Sequence, residues 1–252
     1  MQSRFLKQLI YGIFYLAIIF GIGYILYAPF KTPASCFDNR KNQGETEVDC
    51  GGSCLSCDLR HLKDIEISPV QIFPLQDNKL SLLFELKNPN VKYGASRFIY
   101  TVSFRDASGV ESDSVWRESF IYPGELKTVV EAALDIDQSK TRSARVELSD
   151  FSWKPVSEFS LPKTQTRDIR VDIQLGEKRG TVSGIFINQN SFRLARVSIS
   201  AIFSDTAGVK IGVSKTLIED VEPFQEKNFT IAIPEGFPAV SKDLIKFAIE
   251  SK

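Results

Sequence analysis

The chain has 252 residues, 43% of them hydrophobic, which is room for one anchor and about two small domains at ~100 to 200 residues each. Its 31 basic and 31 acidic side chains cancel, so it has neither the basic field of a nucleic-acid binder nor the acidic excess of a disordered tail. There is one histidine, and the four cysteines all lie between Cys36 and Cys57, which excludes a cysteine nucleophile from the remainder of the chain.

From Gln8 to Phe30 no residue is charged, a run of 23 that suffices to cross ~30 Å of hydrocarbon as a helix. Tyr11, Tyr15, Tyr24 and Tyr27 supply amphipathic rings, those near the ends suited to headgroup level, and Pro29 is expected to end the helix. A cleaved signal peptide would have an apolar core of ~7 to 15 residues followed by a small-x-small site. The flank Tyr27-Ala28-Pro29-Phe30-Lys31 offers no such site, and Pro33-Ala34-Ser35-Cys36 lacks the aliphatic residue of a lipoprotein box. A retained span over residues 8 to 30, with the lipid bilayer as its partner and residues 1 to 7 as a cytoplasmic tail, is therefore expected. Arg4 and Lys7 nearly balance Lys31, Arg40 and Lys41, so charge alone does not orient it. Four cysteines in 22 residues do, because such a framework persists in an oxidising space. The chain reads as a single-pass protein of the cell membrane with its C-terminal part outside.

Residues 31 to 62 form a cysteine-rich segment with too little apolar content to fold without staples. Cys36, Cys50, Cys54 and Cys57 are expected as two disulfides, with three connectivities open. A zinc site would want a second close pair besides Cys54-x-x-Cys57. Asp38, Asn42, Glu45, Glu47 and Asp49 are oxygen donors of the kind calcium takes, and Gly44, Gly51 and Gly52 allow tight turns around them; a solvated acidic loop is the reading preferred, since the spacing is not that of an EF-hand. No other cofactor is expected.

The pattern Cys36-x-Asp38-x-x-x-Asn42-x-x-Glu45-Thr46-x-x-Asp49-Cys50-Gly51-Gly52-x-Cys54-x-x-Cys57 resembles a short cysteine module of bacterial surface proteins, often found just outside a membrane anchor. Family versions carry glycine where this chain has Asn39 and aspartate where it has Glu47. Asn39 is then expected to take a positive φ, which asparagine tolerates best after glycine. The resemblance implies surface location and no activity.

Beyond Arg60 apolar residues alternate in short runs: Leu80, Leu82, Phe84, Leu86; then Phe98, Tyr100, Val102, Phe104; then Val130, Ala132, Leu134, Ile136; then Ala144, Val146, Leu148. Period two, broken by Asn-Pro-Asn, Ser-Gly and Pro-Gly turns, predicts antiparallel strands with one face to water. The scheme returns a hundred residues on: residues 85 to 90 match 185 to 190, 104 to 110 match 203 to 209, and Pro123 matches Pro223. An all-β pair of tandem sandwiches is predicted, over 63 to 162 and 163 to 252, expected to fold independently because few contacts should cross the polar linker Lys163-Thr164-Gln165-Thr166. Cores are expected at Phe84, Tyr100, Val102 and Phe104, and at Phe186, Val197, Ile199, Ala201 and Phe203.

The order strand, Asn-x-Asn, long strand, Phe-x-Asp-x-x-Gly-Val, Pro turn resembles two immunoglobulin-like families. One is the FxLYD-type domain of bacterial envelope proteins, through Phe203-Ser204-Asp205; the other is the water-stress, late-embryogenesis type, through Asn88-Pro89-Asn90. Neither repeat has the Leu-Tyr of the first family. Neither family brings a catalytic site, and Asn88 and Asn188 read as turn formers.

No phosphate loop, Gly-x-Ser-x-Gly or His-Glu-x-x-His is present, and His61 has no triad partner in either repeat. Trp116 is expected in the core and Trp153 at the joint between repeats. The chain is read as a non-enzyme that binds a protein partner of the envelope or acts as a spacer. An extracytoplasmic carbohydrate-active enzyme is the alternative, because carboxylate pairs meet in space without local spacing.

Overall fold

The computed structural model describes residues 2–27, 35–76, 78–173, 180–234 and 241–251. They fall into two compact units, residues 1–62 and 63–252. The expected helix stop at Pro29, Lys31 and the rest of the flank 28–34 lie outside the described residues.

In the first unit, α1 (Gln2–Tyr27) includes an apolar stretch, Leu6–Tyr27, of 22 residues with mean hydropathy 2.3 and no part of it buried by protein. At 1.5 Å per residue it is about 33 Å long. Such a helix is a candidate membrane anchor or signal sequence. The cysteine segment behind it has little regular structure beyond a 3-10 turn at Cys57–His61.

The second unit is antiparallel β throughout. Its first repeat holds β1 (Glu66–Ile67), β2 (Gln71–Pro74), β3 (Leu80–Lys87), β4 (Tyr93–Arg105), β5 (Glu111–Ile121), β6 (Leu126–Leu134) and β7 (Ser143–Pro155). One sheet sets β3 between β6 and the pair β1, β2; the other runs β5-β4-β7. The second repeat holds β8 (Thr164–Ile173), β9 (Gly180–Asn188), β10 (Leu194–Ser204), β11 (Lys210–Val221), β12 (Glu226–Ile233) and β13 (Ile245–Ser251), as sheets β12-β9-β8 and β11-β10-β13. Each repeat is a two-sheet sandwich of the same plan, and all nine expected core residues are buried. Phe84, Tyr100, Val102 and Phe104 meet Leu80, Leu82 and Val146 in one core; Phe186, Val197, Ile199 and Phe203 meet Phe229 and Ile231 in the other.

Five expectations are corrected. The alternation in β6 changes phase at a bulge, where Leu80 pairs with Leu134 but Leu82 with Glu131 and Ala133 takes φ 52°. Leu134 and Ile136 therefore enter the first core, while Val130 and Ala132 point out of it. That outer face is not wet: Phe73, Leu83 and Val130 of the first repeat pack with Ile202 and Val213 of the second in a third buried cluster. Many contacts thus cross between the repeats where few were expected. Trp116 is exposed on β5, at 65%, because its neighbour Val115 takes the inward position. Trp153 stacks on Phe151 against the first core, and the contacts that join the repeats are made elsewhere.

Candidate functional site

In the cysteine module the structure chooses one connectivity, Cys36 to Cys54 and Cys50 to Cys57. Asn39 takes φ 55°, and Gly44, Gly51 and Gly52 are all at positive φ. A side chain at Gly51 would strike Thr46, and one at Gly52 the Gly44 carbonyl, so these turns require glycine twice over. The acidic residues are turned to the module's own donors. Asp49 accepts from the Asp38 and Asn39 N–H groups, and Glu45 from those of Asn42 and Asp49, at 3.0 to 3.1 Å. Asp38 accepts from Asn42 Nδ2 and Arg40 N–H, which hold its carboxyl below the usual carboxylate range. Glu47 lies apart, exposed and 3.6 Å from His61. Asp38, Glu45 and Asp49 thus brace the module's turns; Asn42 donates to Asp38 while its buried Oδ1 has no hydrogen-bond partner among the described residues, and Glu47 stands outside this frame.

A second arrangement was not foreseen in the sequence. Where the β5 and β6 edges of the first sandwich part, β11 and β13 of the second repeat close over them, and a groove of about 1100 Å³ opens beside the seam. Its floor is polar and shared by both repeats. Glu131 on β6 is buried; its Oε1 accepts from the Tyr100 hydroxyl at 2.7 Å and from Lys215 Nζ at 3.2 Å, and its Oε2 faces Arg117 Nε at 3.7 Å. Lys215 also donates to the Val130 carbonyl. Lys127, 3% exposed, donates to the Phe120 carbonyl, lies 3.7 Å above the Phe120 ring and pairs with Glu250 Oε1 at 2.7 Å. Tyr122 donates to the Ser251 carbonyl. Burial, with Glu131 beside it, pushes the Tyr100 phenol up; burial, with Glu125 and Glu250 near, pushes Tyr122 up to about 12.

Buried charges are costly unless paired, and here each buried charge finds a partner across the seam or against a carbonyl. The chemistry this supports is recognition and fixed geometry. Five carboxylates, Glu118, Glu131, Glu219, Asp220 and Glu250, reach the groove, and each faces a cation: Arg97, Lys215, Arg196, Arg193 and Lys127 in turn. The one sequence signal was weak: Lys127, Val129 and Glu131 occupy successive inward positions of β6, and two charges in a core-facing alternation mark a place where something else must pair them.

No protein-family model matches the chain, and no curated protein matches it. Among solved structures, that of red sea bream transglutaminase superposes at 12% identity over 77% of this chain, with a TM-score of 0.26. The chain spans 29% of that protein's length, and a likeness of this degree carries no argument about function.

Proposed function

We propose that the chain is a single-pass membrane protein that holds a rigid pair of β-sandwiches outside the cell, where they bind another envelope protein or set its distance from the membrane. The observation that carries this reading is the lock between the repeats, made of the Phe73, Leu83, Val130, Ile202 and Val213 cluster and the Glu131 and Lys127 ion pairs. A spacer or docking platform has to keep its shape, and this seam removes the hinge that a polar linker would leave. The compartment is supported by two disulfides in a segment with almost no core, by the apolar length of α1, and by the resemblances of the module and the repeats to bacterial surface families.

The alternative, a carbohydrate-active enzyme, draws on the five carboxylates that line one groove, Glu131 the buried one among them. Such an enzyme keeps its two carboxyl groups ~5 to 9.5 Å apart, one free to give a proton and the other to attack or to activate water. Glu131 is engaged on both oxygens, Glu250 holds Lys127, and Glu118, Glu219 and Asp220 are paired with Arg97, Arg196 and Arg193, so the binding reading is preferred. A photo-cross-linker at Thr216, on the groove wall, tests it in intact cells: a discrete adduct with one envelope protein is the expected result. Absence of any adduct, together with release of sugar from envelope polysaccharide that Glu131→Gln abolishes, would replace it with the hydrolase. Protease added to wall-stripped cells is expected to digest the sandwiches and spare the tail before α1.

A further inference from the structure

Of the chain's eight asparagines, only Asn228 opens an Asn-x-Thr or Asn-x-Ser sequence, Asn228-Phe229-Thr230. The others serve the fold. Asn39 and Asn78 hold turns at positive φ, Asn42 donates to Asp38, and Asn88 and Asn90, like Asn188 and Asn190 after them, donate to backbone carbonyls across the chain. Asn228 lies within β12, whose Phe229 and Ile231 enter the second core. Side chains alternate along a strand, so Asn228 and Thr230 fall together on the opposite face, about 7 Å apart. Both are exposed, and among the described residues neither side chain makes a hydrogen bond.

The first repeat shows what this face looks like without that sequence. Its equivalent outward positions on β6 are Leu126, Thr128 and Val130, with Val130 buried in the seam; on β12 they are Glu226, Asn228 and Thr230. Glu226 has a structural task, since it pairs with Arg167 of β8 across the same face. Asn228 has none: asparagine is among the residues least suited to a strand, and without a hydrogen bond it contributes nothing to the sheet. The buried cluster between the repeats and the groove draw on β10, β11 and β13 of the second repeat, which form its other sheet. A large group on Asn228 therefore leaves both clear.

We infer that Asn228 is an N-glycosylation site, modified as the chain emerges on the outer side of the membrane. The inference rests on the extracytoplasmic reading above, because Asn-x-Thr acceptors belong to exported chains. The co-reactant is an oligosaccharide carried on a polyprenyl phosphate lipid. Asn228 Nδ2 forms a bond to the anomeric carbon of its first sugar, the bond from that carbon to the phosphate oxygen breaks, the phosphate leaves with the electron pair, and Nδ2 gives up one proton to water. Transfer precedes folding, since β12 is paired to β9 from Glu226 to Ile233 and a strand held along its length does not bend into an enzyme cleft. Once the sandwich closes, the outward amide carries the sugar without disturbing the core.

The test recovers the full chain and three variants from membranes of the cell that makes it and reads peptide masses. In the parent, the peptide bearing Asn228 is expected to carry sugar, and Asn228→Gln and Thr230→Val should each abolish the adduct; both substitutions lie on the exposed face and keep the fold. Ser139→Asn is the control, since it creates an Asn-Lys-Thr sequence in the turn after β6, where Ser139 is exposed. Sugar at 139 with none at 228 overturns the inference and leaves the extracytoplasmic reading standing. Sugar at neither position overturns the inference as well, and protease digestion of wall-stripped cells then shows whether the reading of the compartment falls with it. An adduct that survives Asn228→Gln also overturns the inference, by assigning the sugar to another side chain.

Discussion

The two repeats share a frame and differ in what they leave at its edges. In both, a fully buried asparagine, Asn88 or Asn188, reaches across from the end of one sheet to carbonyls of the other, at Tyr93 and Tyr122 in the first repeat and at Phe192, Val221 and Glu222 in the second. In both, an aspartate, Asp106 or Asp205, closes the far turn by accepting two backbone N–H groups. The differences fall where function would use them. The first repeat supplies a sheet face and an open sandwich edge; the second supplies Ile202, Val213, Lys215 and Glu250 to cover them. A duplicated fold was thus turned into a block with one seam, and what the second copy added is complementary to the first copy's exposed face.

The largest expected effect comes from the second core. Phe203→Ala should cost ~3 to 5 kcal/mol, and calorimetry should show one transition shifted downward, because the repeats share a buried cluster. Two transitions with only the second moved would mean the seam is too weak to couple them. Next, Glu131→Ala leaves the buried Tyr100 hydroxyl without its acceptor and Lys215 and Arg117 without their carboxylate; since both cations are partly solvated, a loss of about 1 to 3 kcal/mol in chemical denaturation is expected. A change within about 0.5 kcal/mol would show that the ion pairs contribute nothing to the lock.

The smallest effect sharpens the comparison most. Glu125 accepts the Tyr122 N–H at 2.7 Å, and its counterpart Gln225 accepts the Glu222 N–H at 2.8 Å. Burial raises the Glu125 carboxyl above its usual range, with Glu250 adding to the rise and the Tyr122 N–H and Lys127 opposing it. A raised carboxyl favours the folded state fully below the unfolded value, near ~4.3, and that contribution is lost as pH rises through the folded value. Glu125→Gln should therefore keep the turn and remove that fall, so the variant gains on the order of 0.5 kcal/mol over the parent at neutrality and less in acid. An equal difference at both pH values would show that the carboxylate is not the strained member of the pair.

How much of this was readable depended on the range of the interactions. The strand order, the repeat and both cores followed from alternation and from Asn-x-Asn and Phe-x-Asp signals, which are local. Asn39 and the three module glycines were placed by the backbone their turns need. The disulfide pairing was not legible, since four cysteines in so short a segment satisfy all three connectivities. The phase change in β6 was missed because Ala133 carries no turn signature, and with it the seam: Val130 and Ala132 looked like core of the first sandwich, and Leu83 looked like an apolar residue on a wet face. The groove joins Tyr100, Glu131, Lys215 and Glu250 from four strands, and no spacing in the sequence encodes that meeting. Trp116 was misplaced because size argued for burial while register placed Val115 inward.

Rigid coupling of the repeats is the claim on which the spacer or platform reading stands, and a spin-label distance measurement between Val110→Cys and Val209→Cys, on the far turns of the two repeats, addresses it directly. In the full chain, in detergent and in lipid nanodiscs, a single narrow distance distribution, the same in both media, is predicted. A broad or two-peaked distribution would mean that the sandwiches swing about Lys163 to Thr166, and the lock would be contradicted.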